Sequence, residues 1–275
     1  MNYINLIVKE KTNIKKFLKK NDFSSRSIRE ILKDGYLIND KAYKGNQKLK
    51  ENDQVKIIIY DEDLDYDPIK SKIDIVYEDE HILIVNKSYN LTINSKNQVS
   101  LANHIAYYFK EKGIKAKVRF VNRLDMDTSG LIMIAKNKYA MAYYQKQIEA
   151  NKFKKIYLAI CEGFLEIDQT IKLKLLYDSF DKNYKIDPKG KEAITYFKRI
   201  KYDEKYDLTY VMCDIKTGKT HQIRASLSYL GHPILGDRLY GSEKKTNRFY
   251  LHSYHIEVKK YLSNEILSLY SKAFI

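Results

Sequence analysis

The residues whose types and spacing could do chemistry lie in one stretch, Val121-Asn122-Arg123-Leu124-Asp125-Met126-Asp127-Thr128-Ser129-Gly130. Two carboxylates and an arginine sit in a polar segment between an apolar run from Val118 to Val121, broken by Arg119, and a second run from Leu131 to Ala135. That pattern predicts strand, turn, strand. A side chain at the end of a buried strand can be held rigidly while facing a cleft, so Asp125 is the candidate reacting group. A carboxylate beside an arginine is kept ionised, and it can then act as a nucleophile or stabilise a cation developing at a sugar C1′. An ordinary tight turn uses the same residue types, because Asp and Ser bond their own backbone and Gly accepts a positive φ. The rest of the chain decides between the two.

The elements that must position Asp125 read as a strand-rich unit starting near Ile73. Ile73 to Tyr77 and His81 to Val85 predict two strands around a Glu78-Asp79-Glu80 turn, and Leu101 to Lys110 predicts a helix. A second helix is expected over Asn137 to Glu149, followed by a strand from Lys152 to Ile160 on which Lys155 and Tyr157 share one face. Asp187 to Thr195 reads as a turn entering a strand, and Thr209 to Ile215 as another. Thr217-Gly218-Lys219-Thr220 then turns the chain into a helix starting near His221, with Ile223, Leu227 and Leu230 inward and Arg224 in the first turn. Gly231 stops that helix, His232 to Gly241 forms a Gly-rich loop, and Leu251-His252 begins a last strand.

Several alternative chemistries lack their spacing. The Thr217–Thr220 segment does not have the glycine spacing of a nucleoside triphosphate loop. His252 and His255 are three apart on an expected strand and so face opposite ways, and no other histidines carry ligand spacing, so no metal is expected. Asp127 stands only two residues from Asp125, and no second acid is placed to protonate a leaving oxygen, which fits glycoside hydrolysis poorly.

Charge limits the partner. The chain of 275 residues carries 50 Lys and Arg against 35 Asp and Glu, a formal charge of +15, which suits a polyanion such as a nucleic acid. No run approaches the length of a membrane span and the N-terminus has no signal-like pattern, so no membrane partner is expected. Cys161 and Cys213 are far apart without a CxxC, which fits a reducing cytosol and a cytoplasmic location. The 25 Tyr and 10 Phe could stack on bases, although nucleotide bias in the coding sequence can produce the same enrichment.

Residues 1–60 predict a unit of their own. Ile14, Phe17 and Leu18, and again Ile28, Ile31 and Leu32, recur at i, i+3, i+4, giving two short amphipathic helices with Asn13 and Ser25 as expected N-caps. Gly35 ends the second, and short strands follow at Tyr36 to Ile38, Lys41 to Tyr43 and Val55 to Tyr60. Arg26, Arg29 and Lys33 fall on one face of the second helix, opposite the apolar one. With 14 Lys or Arg against 7 Asp or Glu in this unit, phosphate contact is expected there rather than a merely solvated face. Residues 61–72, Asp61-Glu62-Asp63-Leu64-Asp65-Tyr66-Asp67-Pro68 and beyond, predict an acidic, mobile linker to a domain over 73–275.

The first unit resembles the S4 RNA-binding module through Ile14-Lys15-Lys16-Phe17-Leu18, Ser25-Arg26-Ser27-Ile28-Arg29, Gly35-Tyr36-Leu37-Ile38-Asn39 and Leu49-Lys50-Glu51-Asn52-Asp53. The larger domain resembles the RluA-type pseudouridine synthases. Arg123-Leu124-Asp125 followed by Thr128-Ser129-Gly130, Thr217-Gly218-Lys219-Thr220-His221-Gln222-Ile223-Arg224, and Gly231-His232-Pro233-Ile234-Leu235-Gly236-Asp237 with Tyr240-Gly241 appear in the order of that family's blocks. Two positions depart from it: Asn122 stands where the family usually has His, and Lys87-Ser88 where it usually has Lys-Pro.

The resemblance implies an α+β fold, a small α/β S4-like module followed by a mixed, largely antiparallel sheet with flanking helices. It implies an isomerase that breaks the N1–C1′ bond of a uridine, turns the retained uracil and forms C5–C1′, without a cofactor. Asp125 would be the catalytic carboxylate, Tyr157 would stack on the uracil, Arg224 would pair with Asp125, and Arg123 would enter the RNA stack in place of the flipped uridine. Lys155, Thr128 and His221, with Arg26, Arg29 and Lys33, complete the expected substrate contacts. Ribosomal RNA of the large subunit is favoured over transfer RNA, and a monomer without an obligate protein partner is expected. A non-catalytic RNA-binding or ribosome-assembly protein is the competing reading; an intact Asp125, Tyr157 and Arg224 speak against it.

Overall fold

A computed structural model describes residues 2–95 and 97–273. Its N-terminal part packs helix α1 (Ile14–Lys20) and helix α2 (Ser25–Asp34) on a four-stranded antiparallel sheet ordered Asn2–Ile7, Gln54–Ile59, Tyr36–Ile38, Lys41–Tyr43. The Asn13 side chain caps α1 by accepting from Lys16 N, as expected. The α2 cap is Ser24 rather than Ser25; its hydroxyl accepts from Ser27 N at 3.0 Å, which moves the helix start one residue earlier than the expected one. Gly35 leaves α2 at φ 115°, a backbone position that a Cβ disfavours. The strand at Asn2–Ile7 was not among the expected elements.

Among the described residues the larger sheet has eleven strands. Its continuous path runs Asn183–Ile186, Asp168–Asp178, Lys191–Asp203, Leu208–Ile215, Lys154–Glu162, Leu251–Lys259, Ser129–Ala135, Ile82–Lys87, Ile75–Glu78, with Ile266–Tyr270 and Arg119–Phe120 pairing from the side. All pairings are antiparallel except one: Ser129 and Gly130 run parallel to His252 and Ser253. The mixed, largely antiparallel α+β architecture is therefore the expected one. Helices α3 (Leu101–Glu111), α4 (Lys138–Glu149) and α5 (Gln222–Tyr229) flank this sheet. Ser129–Ala135 is buried at every residue and paired on both sides, so the loop just before it is carried on an interior strand of the sheet. Gly130, at φ +109°, is required where that strand meets its parallel partner, because a Cβ would collide with the Ser253 backbone.

The acidic segment departs from expectation. Residues 61–72 contain no helix or strand, yet they form a strap laid on the larger sheet's domain rather than a solvated tether. Leu64 and Tyr66 pack on the core around Phe109 and Val118. Glu62 N donates to Lys115 O at 3.0 Å, Asp65 Oδ1 accepts from Val118 N at 2.8 Å, and Glu62 pairs with Arg119. The acids do not repel one another into solvent because the Lys115–Arg119 segment offers them cations and free backbone N–H groups.

The N-terminal part is fastened to α4 as well. Ile14, Leu18 and Phe23 belong to the same apolar cluster as Tyr139, Tyr143 and Tyr261. The Phe23 ring lies 5.6 Å from Tyr139, and Glu30 of α2 reaches Lys138 at 2.8 Å. Phe23 is buried where the two parts meet, and burying a phenyl ring is worth about 2 kcal/mol, shared here between its own part and α4.

Candidate active site

Seven of the residues expected at the site line one cleft of about 350 Å³: Asp125, Thr128 and Arg123 from the loop before Ser129–Ala135, Lys155 and Tyr157 from Lys154–Glu162, and His221 and Arg224 from the start of α5. Arg26, Arg29 and Lys33 are not among them. They lie exposed on α2, where Arg26 pairs with Glu30 at 3.0 Å, so the helix face is less uniformly cationic than its three basic residues suggest.

Local sequence explains how each side chain reaches the cleft. The turn after Asp125 closes through Thr128 N to Asp125 O at 3.2 Å. Asn122, the departure from the usual family residue, is buried. Its Oδ1 accepts from Met133 N at 2.8 Å and its Nδ2 donates to Leu131 O at 3.3 Å, so its amide takes the place of a strand neighbour and ties the loop's start to the strand that follows. The other departure, Lys87-Ser88, lies beneath the loop. The Lys87 ammonium is 1% exposed and donates at 2.8 Å to three carbonyls, Ser88, Leu91 and Met126. Burial lowers its pKa to about 8, against the opposing pull of Asp127 and Asp125.

The Thr217–Arg224 block works as a clamp. Gln222 Oε1 accepts from Thr217 Oγ1 at 2.9 Å and from Lys219 N at 3.0 Å, while its Nε2 donates to Ile194 O and to Thr195 Oγ1. These bonds fix α5 against the neighbouring strand, and His221 takes φ 55° to make the corner. Arg224, 5% exposed, is thereby aimed at Asp125, with Nη1 donating to Asp125 Oδ2 at 3.0 Å.

Behind Arg224 stands Asp237, 2% exposed. It accepts from Arg224 Nε at 2.6 Å and Nη2 at 2.9 Å, a bidentate fork that leaves Nη1 for Asp125. The Phe249 and Tyr240 rings lie 4.3 Å and 5.0 Å from the guanidinium carbon. Burial favours the neutral guanidine, but the two carboxylates outweigh it and raise the Arg224 pKa, so the cation is secure. Asp237 was visible in the sequence only as the last residue of the Gly231–Asp237 block; nothing there revealed its partner.

His221 completes one wall. Its Nδ1 lies 3.0 Å from the Tyr240 hydroxyl, which already accepts from Tyr184 N at 2.9 Å and so has its proton available for the imidazole. That leaves the ring proton on Nε2, 3.7 Å from Asp125 Oδ2. Burial lowers the His221 pKa and outweighs the pull of Asp125, which keeps the ring neutral at pH 7. Opposite, Tyr157 is buried with its hydroxyl hydrogen-bonded to Ser253, so the ring is held by strand and hydroxyl together, and burial raises its pKa strongly. Lys155, 8% exposed, makes no ion pair among the described residues, and burial lowers its pKa. Its ammonium sits 5.6 Å from the Phe153 ring and faces the cleft beside Gly218. Arg123 is exposed at the rim.

A cleft with one well-held carboxylate, an arginine locked behind it, an aromatic ring and cations at its edge has the chemistry to receive a polyanion carrying a planar base. The RNA pseudouridylate synthase family matches residues 81–229 of the chain. The chain is 36% identical over 237 residues to an uncharacterized RNA pseudouridine synthase of Bacillus subtilis, covering 84% of this chain and 78% of that one. It is 32% identical over 250 residues to the ribosomal large subunit pseudouridine synthase C of Buchnera aphidicola, covering 82% and 78%. Among solved structures it is similar to human RNA pseudouridylate synthase domain containing 1, with a TM-score of 0.64, 25% identity, and coverage of 74% of this chain and 85% of that one. The chain belongs to the RNA pseudouridylate synthase family, as the sequence blocks imply. It is an isomerase acting on uridine in RNA.

Proposed function

We propose that this isomerase converts uridines of large-subunit ribosomal RNA to pseudouridine, with Asp125 as the catalytic carboxylate. The observation that carries the assignment is the Asp237–Arg224–Asp125 array, in which a buried, bidentately anchored arginine holds Asp125 at 3.0 Å in the cleft. The target base leaves the RNA stack and lies on Tyr157, Arg123 takes up part of the vacated stacking, and Lys155 receives a phosphate next to the flipped nucleotide. Thr128 and His221 bound the sugar side of the cleft. Bond by bond, N1–C1′ breaks, the uracil turns, C5–C1′ forms, the C5 proton leaves and N1 gains one, so mass is unchanged.

The choice of ribosomal RNA is supported by relatives such as the Buchnera synthase C and by the N-terminal unit, residues 1–60, which we take as an S4-like RNA-binding domain strapped by residues 61–72 to the catalytic domain over 73–275. Its exposed Arg26, Arg29 and Lys33 hold the RNA backbone away from the cleft. Function as a cytoplasmic monomer accords with this reading; no described helix is long and apolar enough to cross a membrane.

The test is tritium release from uridine-C5-tritiated RNA taken from cells lacking the protein, with ribosomal and transfer RNA assayed separately beside an Asp125→Asn control. Release from ribosomal RNA by the unaltered protein alone is expected. Release from transfer RNA only would refute the target, and equal release by Asp125→Asn would refute the catalytic assignment.

A further inference from the structure

A second and larger concavity adjoins the cleft. It measures about 750 Å³ and is lined by Tyr89, Ser129, Arg248, Tyr250 and Lys272 among others. The loop that carries Asp125 separates the two: Thr128 lines the cleft, and Ser129, the next residue, lines this groove.

The chemistry of the groove is that of a nucleotide site. The Arg248 guanidinium carbon lies 4.6 Å from the Tyr89 ring and 5.1 Å from the Tyr250 ring, so two aromatic faces flank a cation. Tyr89 is 45% exposed, leaving its ring open to a stacking partner. Lys272 is exposed at the rim. Among the described residues the one carboxylate in the lining is Asp74, which accepts from Asn86 Nδ2 at 3.0 Å, and Asn86 Oδ1 is buried without a hydrogen-bond partner. The Lys87 ammonium also borders the groove, but its three bonds point to carbonyls, so it serves the loop and not a ligand.

We infer that this groove binds a nucleotide flanking the target uridine on the same RNA strand, its phosphate at Arg248 and Lys272 and its base against Tyr89. The inference rests on the reading that RNA enters the neighbouring cleft. One strand then straddles the Asp125 loop, with the flipped uridine on the Thr128 side and its neighbour on the Ser129 side. Such a contact fixes the register of the strand, because base–aromatic stacking and a phosphate–arginine contact hold a nucleotide whatever its sequence.

The test uses the full chain, an RNA containing the modified uridine, and the same RNA shortened from either end to stop at that uridine. Dissociation constants are read by equilibrium binding, which needs no turnover, and kcat is read beside them. Arg248→Gln and Tyr89→Ala are expected to weaken binding of the long RNA about 10-fold each, and the exposed Lys272→Glu about 3-fold, with kcat unchanged at saturating RNA. On the RNA shortened from one particular end, the unaltered protein binds at least as weakly as Arg248→Gln binds the long RNA, and the substitutions have no further effect. Variants that bind the long RNA like the unaltered protein would overturn the inference. So would a binding loss that persists in full on both shortened RNAs, since the lost contact would then not be to a flanking nucleotide. Lys272→Glu guards against loss through misfolding, because its side chain is exposed and makes no hydrogen bond or ion pair among the described residues.

Discussion

The cleft and helix α2 both carry basic residues, and they hold them in opposite ways. Arg224 is buried, bonded to two carboxylates through three of its nitrogens and covered by two rings. Arg29 and Lys33 stand in solvent. An arginine held by three hydrogen bonds can set the position of one carboxylate to a fraction of an ångström, which is what bond-making at C1′ needs. A solvated cation contributes counterion release and long-range attraction, for which position matters little. Under the proposed function the same residue types serve chemistry in one region and adhesion in the other, and burial with an acidic anchor is what separates them.

The comparison is broken most severely at Asp125. Asp125→Asn should lower kcat at least ~1,000-fold while leaving RNA affinity within about twofold, read by single-turnover tritium release and filter binding. Next comes Asp237→Asn, which leaves the buried Arg224 half-anchored. A fall in kcat of about 100-fold is expected, with a loss of about 3 kcal/mol in unfolding free energy in urea. Full activity in this variant would mean that Arg224 needs no anchor.

Lys87 sharpens the comparison through pH. Its folded pKa of about 8 lies below its ordinary value of 10.5, so the charged form is disfavoured by folding. The unfolded chain binds more protons between pH 8 and 10.5, and this group's contribution to stability rises across that window. The rate moves the other way: above about pH 8 the amine has one N–H fewer for three carbonyls, and kcat should decline several-fold as the Asp125 loop loosens. Lys87→Met should abolish that alkaline limb together with most of the activity.

The smallest effects belong to α2. Arg29→Glu with Lys33→Glu should weaken RNA binding about 10-fold at low salt, flatten the dependence of log affinity on log salt by about 1.5, and leave kcat untouched.

How much of this was legible in the sequence follows from the range of the interactions involved. The Arg123–Gly130 and Thr217–Arg224 blocks announced the cleft because part of their constraint is local: a turn closed on its own backbone and a Gln222 side chain bonding within its own turn. Helix caps such as Asn13 were readable for the same reason. The strands at Asp168–Asp178 and Asn183–Ile186 are not among the expected elements, although Ile171, Leu173, Leu175 and Tyr177 alternate along the first; both are shallowly covered, with Leu175 their one buried residue. The strand Asn2–Ile7 is defined by its pairing with Gln54–Ile59, a distant partner. The acidic strap was misread because its charge pattern said nothing about Val118 N and Arg119, which receive it. Asp237 is the instructive case at the site: thirteen residues from Arg224 across a loop, it takes two of the guanidinium's bonds, a geometry that spacing alone does not encode.

The measurement that bears most directly on the division of labour is a single-turnover titration of Asp237→Asn and of Arg29→Glu/Lys33→Glu side by side, rate against protein concentration at two salt concentrations. The account predicts that Asp237→Asn lowers the plateau rate about 100-fold with an unchanged half-saturation point. It predicts that the α2 variant keeps the plateau and shifts half-saturation to higher concentration, less so at the higher salt. A lowered plateau in the α2 variant, or a shifted half-saturation with a normal plateau in Asp237→Asn, would contradict it.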